Sequence, residues 1–326
     1  MRSRSLARGA IGMAAWTLLA SFSEQSVRAA EFRSVTALQK SGTEVTLLSV
    51  YFQTIGVGWA VGAGGAILRT SDGGKRWKRV PSGTSVLLTN VSFADGLHGW
   101  VVGANGTILH STDGGEKWAA QSSGTQSTLY GLSFLTPSLG WAVGAGGNIL
   151  HTKDGGLHWT DQVSGTNAAL YAIQFVDQTH GRAVGALGTI LATEDGGLTW
   201  IARETQSAAT FFDVSFTDPL NGWVVGNAGA LFQTMDGGTR WIDRTLACTR
   251  TCSRPTDLIK VRFTDSRSGW IVGERGAIFR TTDAGFNWVE QPNGTKASLF
   301  GLTFPESTHG WASGEGGVIL RISAPP

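Results

Sequence analysis

The chain has 326 residues, only 15% of them charged, with 46 glycines, 13 tryptophans and a formal charge of +2. Low charge combined with many turn formers and large aromatics excludes a disordered chain and suits a packed all-β protein. The basic balance belongs to the first 30 residues alone: Arg2, Arg4, Arg8 and Arg28 against Glu24 carry +3, and their removal takes the formal charge from +2 to −1. Nucleic-acid binding then loses its electrostatic support.

Residues 1–30 read as a secretory signal peptide. Three arginines precede an uncharged apolar run from Gly9 to Phe22, and Val27-Arg28-Ala29-Ala30 supplies small residues for cleavage. The run is too short to span a bilayer comfortably. The expectation is an exported protein, periplasmic or secreted, that does not itself span the membrane.

Residues 31–326 hold one domain built from a repeat of 41 residues. Its first marker is Gly-Trp, ending at Trp59, Trp100, Trp141, Trp223, Trp270 and Trp311, with Arg182 in the fourth slot; 47 residues separate Trp223 from Trp270. The second marker, Thr/Ser-x-Asp-x-Gly-x-x-Trp, centres on Asp72, Asp113, Asp154, Asp195, Asp236 and Asp283. Between residues 82 and 122 one block unfolds into four short strands: Leu88 to Phe93 alternating, Gly99 to Gly103, Thr107 to Ser111, and a last one around Lys117 to Ala120. Tight glycine and aspartate turns join them, which describes one blade of a β-propeller. In the aspartate turn the Ser/Thr hydroxyl and the carboxylate are placed to bond backbone N–H groups, and the tryptophan tucks against the blade.

The ends predict how the ring closes. The last block stops after its third strand, Val318 to Arg321, whereas Arg33 to Leu38 stands where a fourth strand belongs. Pairing the two would give a closed seven-bladed propeller without free sheet edges. Cys248 and Cys252 lie in a six-residue insertion and, in an oxidising compartment, are expected to form a disulfide.

The aspartate turns resemble the Asp-box, or bacterial neuraminidase, repeat. The longer signature, Gly-Trp-x-Val-Gly-x-x-Gly-x-Ile-Leu-x-Thr-x-Asp-Gly-Gly-x-x-Trp, resembles the seven-bladed photosystem II assembly and stability factors of cyanobacteria and plastids. That resemblance implies a non-enzymatic protein that docks on a subunit of a membrane complex during assembly, as a monomer and without cofactor. The alternatives are a carbohydrate-binding propeller and a sialidase-like glycosidase. Glycosidase chemistry of that kind needs a tyrosine nucleophile with a glutamate partner and an arginine cluster. Phe32-Arg33-Ser34-Val35 is a poor imitation of the Phe-Arg-Ile-Pro motif, Tyr130 and Tyr171 share a repeated position with Phe212 and Phe300, and Tyr51 has no evident glutamate. The histidines are scattered, so no metal site is expected.

Departures from the repeat mark the candidate contact zone. Innermost-strand positions that are usually small or lightly polar carry Asp213, Lys260 and Arg262, and the adjoining insertion adds Arg250 and Arg254. Arg275 occupies a turn at the same end of the blades. One third-strand position reads Arg69, His110, His151, Ala192, Gln233, Arg280 and Arg321, so three arginines would fall in one sector and offer a basic surface to an acidic partner segment.

Overall fold

The computed structural model describes residues 35–246 and 255–324, whose 28 strands form seven four-stranded sheets. The leader, Cys248, Cys252, Arg250 and Arg254 lie outside the described residues. In the first blade the strands are Leu47–Phe52, Gly58–Gly62, Ile67–Thr70 and Lys78–Val80, numbered from the centre outward and paired antiparallel. The architecture is the expected seven-bladed propeller.

Closure also follows the expectation. Val35–Gln39 pairs antiparallel with Ile319–Ser323, from Val35 opposite Ser323 to Gln39 opposite Ile319, and so completes the last blade. Thr36 Oγ1 donates to the Asn293 carbonyl at 3.3 Å, and Gln39 Nε2 to the Gly73 carbonyl at 2.8 Å. These bonds tie the closing strand to the blades on both sides.

From its first glycine each second strand is buried, as in Gly99–Gly103, because it faces a neighbouring blade on both sides. The glycine that opens it is needed for close approach. A Cβ on Gly99 would lie 2.4 Å from the Phe93 ring, and one on Gly58 would lie 2.6 Å from Phe52. With that space kept clear, the tryptophan of one blade stacks on the phenylalanine of the next. Ring centroids are 3.8 Å apart for Trp59 and Phe93, 3.6 Å for Trp100 and Phe134, 3.5 Å for Trp141 and Phe175, and 3.7 Å for Trp311 and Phe52. Burying 150–250 Å² per tryptophan is worth about 4–6 kcal/mol as an upper bound. The core is therefore divided among seven seams.

The aspartate turns form as expected. Thr70 Oγ1 donates to Asp72 Oδ1 at 2.9 Å and accepts from Gly74 N at 2.9 Å, while Asp72 Oδ1 accepts from Arg76 N at 3.0 Å. Trp77 then meets Phe52 edge-on at 5.7 Å. Such bonds hold the carboxylates below their ordinary range. Asp154 falls to about 2, chiefly through the backbone N–H of His158, and Asp195 to about 2, chiefly through the Thr199 hydroxyl.

Candidate protein-docking surface

The third-strand arginines lie against the tryptophans of the second strands. Each sits directly across from the tryptophan of its own blade: Arg69 opposite Trp59, Arg280 opposite Trp270, Arg321 opposite Trp311. Their guanidinium carbons lie 6.0, 5.3 and 5.8 Å from those rings. Arg280 is only 8% exposed. Arg69 reaches across the seam, where Nε donates to the Gly114 carbonyl at 2.9 Å and Nη1 pairs with Glu116 at 3.0 Å. Contact with the rings thus distributes the three residues over three separate seams, with Arg69 and Arg321 half-buried there. His110 and His151 fill the same place in their blades, stacked on Trp100 and Trp141. Burial lowers both imidazoles, which favours the neutral ring.

What the seams need from these positions is visible at Arg182. Trp100 Nε1 donates to the Gly155 carbonyl at 3.1 Å, and Trp141 Nε1 to the Gly196 carbonyl at 3.2 Å, each on the aspartate turn of the next blade. Arg182 repeats this contact through Nε and Nη2, at 3.1 and 2.7 Å from the Gly237 carbonyl. Its Nη1 donates to Gly181 and Thr193 carbonyls, and its guanidinium lies 5.3 Å from the Phe216 ring. A flat, donor-bearing group thus replaces a flat, donor-bearing ring.

Asp213, Lys260 and Arg262 do come together. One residue from each innermost strand faces a central channel of about 410 Å³: Ser49, Asn90, Gly131, Ala172, Asp213, Lys260 and Gly301. Asp213 is 3% exposed in its side chain. Its Oδ1 accepts from Lys260 Nζ at 3.1 Å, and its Oδ2 from Arg262 Nη1 at 2.8 Å and Val261 N at 3.0 Å. Lys260 occupies the position in blade six that Asp213 occupies in blade five, a relation the 47-residue spacing already contained. Innermost strands have unpaired backbone groups, and side chains from the preceding blade satisfy them. Ser49 does this for Val91 N, Ser133 for Phe175 N, and Gln174 for both backbone groups of Phe216.

Tyr51 belongs to this scaffold, since its hydroxyl donates to the Phe93 carbonyl at 3.1 Å and burial raises its pKa. Tyr130 and Tyr171 pack against each other at 5.2 Å, and Tyr171 against Phe212 at 5.9 Å. The turn histidines His98 and His180 pair with Asp95 and Asp177 of their own turns at 2.9 and 2.8 Å, and His309 pairs with Glu306. Among the described residues no group of three or more His, Cys, Asp or Glu side chains could hold a metal ion.

Arg275 is the remaining described candidate, and it is exposed. It adopts a left-handed conformation, φ 56°, as do Asn105, Leu187 and Ala228 in the corresponding turns of blades two, four and five, while Gly64, Gly146 and Gly316 fill that position in blades one, three and seven. Its Nη2 donates to Thr256 Oγ1 at 2.7 Å, beside the six-residue insertion.

Residues 28–122 and 204–297, more than half of the chain, match the family described as photosynthesis system II assembly factor YCF48. The chain belongs to that family. No curated protein matches it. Among solved structures it is similar to YCF48 from Cyanidioschyzon merolae, with 22% identity over 88% of this chain and 98% of that one, at a TM-score of 0.72. It is also similar to YCF48 bound to D1 peptide, with 21% identity over 90% and 95% of the two chains and a TM-score of 0.73. A streptogramin B lyase shares the same architecture, with 14% identity over 90% and 98% and a TM-score of 0.76. At such identities the structural likeness speaks for the fold, whereas the sequence match speaks for the YCF48 family.

Proposed function

We propose that this protein is an exported, non-catalytic propeller that docks on a protein subunit of photosystem II during assembly. The family match over both halves of the ring carries this reading. A solved YCF48 relative is bound to D1 peptide, which supports a protein segment as the partner. The donor role of Tyr51 and the double pairing of Asp213 leave neither group free for acid–base work, which supports binding over hydrolysis. Our reading puts the contact at the blade-six turn around Arg275, an exposed cation on a rigid frame.

Crosslinking in intact cells followed by identification of the attached protein tests the reading. A photosystem subunit is expected, and its yield should fall several-fold with Arg275→Glu while the melting temperature stays within about 2 °C, as for a surface substitution. Capture of no membrane-complex subunit overturns the function, and undiminished capture by the variant overturns the placement. Turnover of a fluorogenic glycoside, or retention on a glycan array, would replace it with the corresponding alternative.

A further inference from the structure

The charges in the central channel do not balance. Asp213 has both oxygens occupied, and it neutralises one cation while two are present. Among the described residues no other acidic side chain lines the channel. A lock between blades five and six needs only one cation for its carboxylate, so the second is surplus. Of the two, Lys260 is 13% exposed in its side chain and Arg262 is 38% exposed. Both hydrogen bonds of Arg262 leave through Nη1, which keeps Nε and Nη2 available. Asn90 and Ser92, on blade two, add amide and hydroxyl groups to the lining of the channel. A channel of about 410 Å³ is the size of a small-molecule site. Low-dielectric walls focus the field of an unbalanced charge onto whatever occupies the space.

We infer that this channel is a receptor for a small carboxylate, gripped by the free edge of Arg262. The guanidinium fork matches the two oxygens of a planar carboxylate, and the paired Asp213 holds the fork in place. The site stands apart from the docking contact proposed above and does not depend on it.

Calorimetric titration of the full chain with succinate, and separately with triglycine and its C-terminal amide, tests the inference. Saturable binding at one site per chain is expected. Arg262→Gln should weaken it by about tenfold or more. Lys117→Gln removes the same charge from an exposed aspartate turn and should leave it unchanged. Where Arg262→Gln does not fold, Arg262→Lys, which keeps the charge and loses the fork, carries the comparison. Saturation by succinate supports a receptor for free acids. Saturation by triglycine alone, lost on amidation, supports a receptor for a chain end. Saturation by neither, equal binding by the Arg262 variant, or inorganic phosphate binding tighter than succinate overturns the inference. Arg275→Glu lies outside the channel and should leave succinate binding intact, which separates failure here from failure of the docking contact.

Discussion

Arg182 stands in a slot that six other blades fill with tryptophan, and its donors explain why the seam accepts it. Four hydrogen bonds to three carbonyls keep a nearly buried guanidinium satisfied without a carboxylate. Arg182→Ala should cost about 2–4 kcal/mol in urea unfolding, because it removes the plate and leaves the Gly237 carbonyl unmet. Arg182→Trp should cost less than about 1 kcal/mol, since it restores the repeat. A loss from the tryptophan variant as large as that from alanine would contradict this account. Part of the logic was legible in the sequence, because the residue facing Arg182 across the strands is Ala192, where other blades place an arginine, a histidine or a glutamine. Two arginines are thereby kept from facing each other. The same column of residues was only partly legible: spacing shows that Arg69, Arg280 and Arg321 are equivalent, and it does not show that each lies against the tryptophan facing it.

The aspartate turn links adjacent blades at four seams, where its glycine carbonyl receives Arg69, Trp100, Trp141 or Arg182 from the preceding blade. Gln121 and Gln162 add a second donor to the Gly155 and Gly196 carbonyls, at 2.9 and 3.2 Å. These turns respond to acid in a definite direction. Asp154 and Asp195 have folded pKa values of about 2 against an ordinary 3.8, so their contribution is fully present above about pH 4 and is lost as the pH falls toward 2. Urea midpoints measured between pH 5 and about pH 2.5 should therefore decline, and the Asp154→Asn, Asp195→Asn double variant should show a shallower decline. Equal slopes would remove the turns as the source. Their motif made them readable in advance, down to the hydroxyl and carboxylate bonds. Their use by the neighbouring blade was not readable, because the acceptor lies 55 residues beyond its donor and nothing local records the pairing.

At the scale of the whole molecule, seven equal blades make a ring only because the first and last strands share a sheet. Removing Val35–Gln39 should lower the melting temperature by roughly 5–10 °C and cause concentration-dependent association through the bared edge of Ile319–Ser323. Calorimetry with sedimentation checks both, and an unchanged monomer would refute the closing role. This closure was visible in the sequence as a block lacking its fourth strand. The channel pairing was half visible: Asp213, Lys260 and Arg262 stood out as exceptions, yet their convergence depends on the curvature of the ring. The stack of Trp311 on Phe52 has its own consequence for biogenesis. The ribosome delivers Phe52 long before the indole that covers it, so every nascent or prematurely terminated chain carries a bare aromatic flank. Chaperones and proteases can read that flank as the sign of an unfinished molecule, and it disappears when synthesis ends.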